Sequence, residues 1–133
     1  MAARRSALAT SWRLRARIGE DAAAAHVTSL GYRVLERNLR RGHDEADLVA
    51  LTPLGAVAVI EVKARLGGPH GEERVDGVKR RNLLRLAAAL VEEPRFAGRM
   101  FQFDVVAVAL REDGGVEAVR HFPHAFDASG TEW

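Results

Sequence analysis

The chain has 133 residues, 47% hydrophobic and 29% charged, with a net charge of +2 and no cysteine. That composition suits one globular domain with a sizeable core, and the missing cysteine excludes disulfides, thiolate metal sites and cysteine nucleophiles. With no apolar run near the roughly 20 residues of a membrane-spanning helix and no secretory h-region at the start, the sequence predicts a soluble, cytoplasmic protein without a membrane partner.

Residues 1–41 carry nine Arg against three acidic residues, whereas the remainder is net acidic. A basic front portion suits a nucleic-acid backbone, because bound arginines displace condensed counterions; a solvated charged face is the plainer reading. Only two of the 20 basic residues are lysine, Lys63 and Lys79. Lysine offers a compact point charge where arginine offers a planar fork, so these two positions stand out.

Residues 1–17 read as a basic, flexible arm in which Arg13, Arg15 and Arg17 are candidate phosphate contacts, and residues 18–126 as a single domain. "RIGEDAAAAHVTSLGY" predicts a helix with Ile18, Ala22, Ala25 and Leu30 on its inner side and Gly31 as its stop. "YRVLERNLR" predicts a strand, Tyr32 and Val34 facing one way and Leu35 the other. "ADLVAL" and "AVAVIEVKA" follow as two strands joined at Thr52-Pro53-Leu54-Gly55, an antiparallel hairpin. "LGGPHGEER" is a loop. Residues 75–91 predict a second amphipathic helix with Val75, Val78, Leu86 and Leu90 inward. "MFQFDVVAVAL" predicts a central strand interrupted by Asp104, and "VEAVRHF" a shorter edge strand; 127–133 is a tail. The order α-β-β-β-α-β-β gives an α/β fold with a central mixed β-sheet flanked by helices.

Three charged residues sit inside the hairpin. Alternation places Glu61 and Lys63 on one face of their strand, and Asp47 with Val49 and Leu51 on one face of the other. Counting outward from the turn, Asp47 and Glu61 lie equally far from its midpoint, so the three side chains can converge at one end. Two adjacent carboxylates repel unless a cation sits between them, and Mg²⁺ or Mn²⁺ suits such oxygens. An adjacent lysine then completes a phosphodiester-hydrolysing set. The plainer alternative is a structural Glu–Lys pair at the strand end.

The blocks "IGEDAAAAHVTSLGYRVLERNLR", "DEADLVAL", "VAVIEVKAR", "VDGVKRRNLLRLAAALV", "FDVVAV" and "HFPHAF", in this order, resemble the YraN-type uncharacterised protein family 0102. The resemblance spans about residues 18–126. It implies a restriction-endonuclease-like fold with the PD-(D/E)xK signature, and a metal-dependent endonuclease similar to Holliday-junction resolvases. Such an enzyme would act on branched, flapped or otherwise structured DNA, with Mg²⁺ or Mn²⁺ as cofactor and a homodimer as a possible assembly. A nucleic-acid-binding or scaffold protein that keeps the fold without cleaving is the alternative.

On this resemblance Asp47 and Glu61 match the metal-binding carboxylates, the Val62 carbonyl is a further ligand, and Lys63 is the motif lysine. Glu20 matches a Gly-Glu pair that in related nucleases joins the metal site, and Glu45 matches an acidic block residue. Lys79 matches a lysine of the second helix, set to contact phosphate or solvent. Arg40, Arg41 and Arg65 complete the candidate nucleic-acid contacts. Two positions depart from the family pattern: Asp44 replaces a glycine, adding a carboxylate that would bind metal or repel DNA, and Gln102 replaces an arginine. The five histidines fall in no ligand spacing, and packing or surface roles are expected for them.

Overall fold

The computed structural model describes residues 11–67 and 75–127. Most of the expected loop at 66–74, most of the tail and residues 1–10 of the expected arm lie outside them. Helix α1 (Trp12–Ser29) precedes β1 (Arg33–Arg41), β2 (Asp44–Leu51) and β3 (Val57–Leu66). Helix α2 (Gly77–Val91), a short 3₁₀ turn (Pro94–Phe96), β4 (Phe101–Leu110) and β5 (Val116–Phe126) follow. The five strands form one sheet in sequence order. Only β3 and β4 are parallel; the other neighbours are antiparallel. This is the expected mixed sheet flanked by helices, consistent with a restriction-endonuclease-like fold.

Each helix covers one face of the sheet. Ala23 and Val27 of α1 pack with Tyr32, Leu48, Ala50, Ala58, Ile60 and Val106. On the opposite face Leu83, Leu86 and Leu90 of α2 pack with Val49, Val57, Val59, Phe96 and Phe103. Tyr32 and Leu35 indeed fall on opposite sides. The helix faces differ in part from expectation: Val78 is exposed and Leu83 takes the core position. On α1, Gly19, Ala23 and Val27 form the buried stripe, the expected Ile18 and Ala22 pack at its edge, and Ala25 and Leu30 face outward. Alanine-rich segments give a weak hydrophobic contrast, so the inner face is set by what fits against the sheet.

Three further differences bear on function. Helix α1 begins at Trp12, so residues 12–17 are its first turns rather than part of an arm; Ser11 caps it, accepting from the Leu14 N–H at 3.2 Å. Strand β5 is the longest in the sheet, running through Pro123 to Phe126. It is an edge strand, where a proline costs no ladder bond on its open side. Third, Asn38 in β1 adopts φ 53°, a left-handed conformation that asparagine tolerates better than most residues. It lies opposite Asp47, between the pairs Arg37↔Leu48 and Leu39↔Ala46. Here the pleat reverses: Leu48 packs under α1, yet Ala46 and Leu39 belong to the layer under α2. The simple alternation that grouped Asp47 with Val49 therefore fails at this position.

Gly19 sets how closely α1 approaches the sheet. A Cβ built on it would lie 2.7 Å from the Ala64 Cβ of β3, so any side chain pushes helix and strand apart. Gly19→Ala is expected to lower stability by about 1–3 kcal/mol through overpacking. The overpacking outweighs alanine's better helix propensity of at most about 1 kcal/mol. Thermal denaturation of the variant checks this.

Candidate active site

Strands β2 and β3 pair from Leu51↔Val57 to Leu48↔Ile60 and then part. Beyond that point β2 continues against β1 as far as Asp44, and β3 against β4 as far as Leu66. Asp47 and Glu61 are the first residues past the last shared pair, as equal counting from the turn predicts. The Asp47 Oδ2 accepts a hydrogen bond from the Val62 N–H at 2.8 Å, so a side chain fills the place of the missing strand partner. The Asp47 carboxylate is close enough to Glu61 to help raise its carboxyl.

The Glu61 side chain is only 8% exposed, and the Lys79 Nζ lies 3.8 Å from its Oε2. Burial pushes the Glu61 carboxyl well above the usual range, the contact with Asp47 adds to this, and Lys79 and Lys63 oppose it. A group whose folded pKa is raised stabilises the fold most below its unfolded value, here 4.5. That stability is lost as pH rises above it. Cation-free protein is therefore expected to lose stability from about pH 4.5 upward, and Glu61→Gln to flatten that decline. Melting temperature against pH, in the presence of a chelator, is the measurement.

Asp47 and Lys63, but not Glu61 or Lys79, line a cleft of about 540 Å³ between the start of α1 and the free side of β3. Trp12, Arg15 and Glu20 line it from the helix, Asp47 from β2, and Lys63 and Arg65 from β3. The Asn38 side chain donates to Glu20 at 3.1 Å. Burial and the nearby Asp47 raise the Glu20 carboxyl against that hydrogen bond. The left-handed Asn38 thus ties Glu20 into the cleft wall, a link that sequence periodicity does not reveal.

Other predicted site residues are engaged elsewhere. Asp44 is buried under α2, where both its oxygens accept from Arg85 at 2.7 Å. The hydrogen bonds from Arg85 hold its carboxyl below the usual range. It does not line the cleft, and both its oxygens are taken up by Arg85. Glu45 pairs with Arg40 at 3.0 Å, and Arg41 with Glu93 at 2.8 Å, so these two arginines are held by carboxylates. Lys79 is neither solvated nor set outward: its Nζ donates to the Glu45 carbonyl at 3.0 Å, beside Glu61. Arg13 and Arg17 are exposed on the first turns of α1.

Among the described residues no three His, Asp or Glu side chains are grouped to hold a metal ion. The donors that do converge are Asp47, which lines the cleft with Val62, and Glu61, which does not line it. Two hard carboxylates close together, one of them buried with its nearest ammonium 3.8 Å away, form a donor set of the chemistry a divalent cation prefers.

The model of "Uncharacterised protein family UPF0102" matches residues 19–108. The chain belongs to UPF0102. It is 44% identical to a UPF0102 protein of Moorella thermoacetica over 116 residues, covering 86% of this chain and 96% of the relative. Against that of Syntrophotalea carbinolica identity is 40% over 116 residues, 86% of this chain and 92% of the relative. For Pelotomaculum thermopropionicum it is 36% over 121 residues, covering 90% and 100%. These relatives' names give the family and no activity. The UPF0102 match begins at Gly19 and ends at Val108, taking in both walls of the cleft except the first two turns of α1.

A second polar cluster surrounds Asp104, which stood out in the sequence as a residue that could anchor backbone, though its partners did not. Asp104, 1% exposed, accepts from the Tyr32 hydroxyl at 2.9 Å, the Gln102 amide at 2.9 Å and the His124 backbone N–H at 3.2 Å. The His121 Nε2 lies 2.8 Å from it. Gln102, at the position where an arginine was expected, thus serves Asp104. The only signal in the sequence was a charged residue inside an apolar strand.

Proposed function

We propose that this protein is a metal-dependent nuclease that hydrolyses phosphodiester bonds in structured DNA. The observation that carries the reading is the parting of β2 and β3 at Asp47 and Glu61, which places Asp47 on the wall of an open cleft with the buried Glu61 carboxyl close behind it. Asp47, Glu61 and the Val62 carbonyl would hold Mg²⁺ or Mn²⁺. Bound there, the cation supplies a Lewis acid that lowers the pKa of water and stabilises charge on a phosphodiester.

The remaining chemistry belongs to side chains. Lys63, in the same cleft, donates to the attacking water and keeps its lone pair directed at phosphorus. Lys79 offsets the charge of Glu61 and fixes the end of β2 through the Glu45 carbonyl. The arginines of α1's first turns and Arg65 bind flanking phosphates, an electrostatic grip that weakens steeply with salt. A homodimer would bring two such clefts to a branched substrate.

The test incubates the protein with four-way, fork, flap and single-stranded DNA in Mn²⁺, in Mg²⁺ and in chelator, beside Lys63→Ala. Cation-dependent cleavage that falls in the variant supports the proposal. Binding without cleavage in any cation replaces it with the scaffold alternative.

A further inference from the structure

The cleft contains more than the carboxylate pair requires. Trp12, on its rim, is 66% exposed, an unusual place for a large apolar ring in a chain with only two tryptophans. The Arg13 guanidinium sits over this ring, 5.5 Å from its centroid. One helical turn further in, the Arg15 Nε is shielded from solvent and has no hydrogen-bond partner among the described residues. A buried donor without an acceptor costs about 1–3 kcal/mol, which an incoming anionic oxygen would recover. The rim is held in place: Ser11 caps the first turn and Gly19 seats the helix against Ala64.

We infer that the outer half of the cleft is a subsite for an unpaired nucleotide, its base stacked on Trp12 and its phosphate held by Arg15. The inference rests on the nuclease reading for its neighbour and adds the substrate class. A base within a duplex shows its edge to a groove and keeps its faces stacked, so a ring that binds by its face selects an unpaired base. A cleft of about 540 Å³ lies within the range of roughly 300–1,000 Å³ usual for small-ligand sites. It therefore has room for a splayed nucleotide. Lys63 and Asp47 line the same cleft, so the scissile phosphate lies next to the captured nucleotide. Cleavage is placed at a junction between paired and unpaired strands.

Binding is tested without cleavage, in chelator, using the full chain carrying Trp133→Phe so that emission reports Trp12 alone. A 12-nucleotide thymidine strand is expected to quench Trp12, and a blunt hairpin duplex to leave it nearly unchanged. Trp12→Ala is expected to weaken binding of a dye-labelled strand about 5- to 100-fold, from the value of one base–aromatic stack; Trp12→Phe restores most of it. Equal quenching by duplex, or unchanged binding by Trp12→Ala with native circular dichroism, overturns the subsite. Strand binding through Trp12 without cleavage in Mn²⁺ keeps the subsite and removes the nuclease reading. Cleavage indifferent to Trp12 does the reverse.

Discussion

Asp47→Asn is expected to reduce cation-dependent DNA cleavage by at least about 10²–10³-fold, the scale seen when one charge-stabilising group is removed from a preorganised site. Asparagine is the informative substitution because Asp47 has two tasks. Its Oδ2 accepts from the Val62 N–H, and the amide oxygen of asparagine can keep that bond and the parting of β2 from β3. What the substitution removes is the charge facing Glu61. The variant should therefore fold at least as well as the parent, since the repulsion that helps to raise the Glu61 carboxyl is gone. Mn²⁺ should raise the melting temperature of the parent, by mass action on the folded state, and leave the variant unmoved. Asp47→Ala would confuse the outcome: it strands a backbone N–H, at about 1–3 kcal/mol, and lost activity could then be lost structure. Undiminished cleavage by a well-folded Asp47→Asn protein would sink the proposed site.

Most of the fold is legible in local pattern. Proline and glycine mark the hairpin turn, alternating valines mark β3, and a charge inside each apolar run marks a buried polar group that must find partners. The convergence of Asp47 with Glu61 follows from counting, because an antiparallel register fixes one strand by the other once the turn is known. Other parts depend on contacts that no local pattern encodes. That Asp44 lies under α2 and not in the cleft depends on the reversed pleat at Asn38, a backbone state. Lys79 reaches Glu61 only because α2 packs over the end of β2. The tight seat of Gly19 on Ala64, which brings Glu20 to the cleft, joins residues 45 apart in sequence. Chain order places such pairs nowhere; packing does.

Asp104→Ala is expected to cost about 3–5 kcal/mol, as for a buried charge network losing its central member. For a domain of this length that is roughly a 10–20 °C fall in melting temperature, a large part of the about 5–15 kcal/mol that holds such a domain folded. Burial alone would raise the Asp104 carboxyl. Hydrogen bonds from His121, Gln102, Tyr32 and the His124 N–H outweigh it and leave the carboxyl below its usual value. Those donors come from Tyr32 just before β1, from β4 and from β5, so one carboxylate ties the entry to β1 to two strands, and the variant would leave several of them without an acceptor. The bond to the His124 N–H also restrains a residue held at φ 53°, where the register between β4 and β5 shifts. A group with a depressed folded pKa lends stability above its unfolded value, 3.8 here, and loses it as pH falls through the folded one. The parent should thus lose stability below about pH 3.8 by more than Asp104→Asn does. Because Asp104 does not line the Asp47 cleft, cleavage by the milder Asp104→Asn protein, assayed well below its melting temperature, should stay near parental. A melting-temperature change under about 3 °C in Asp104→Ala would show that the network is bonded but not stabilising.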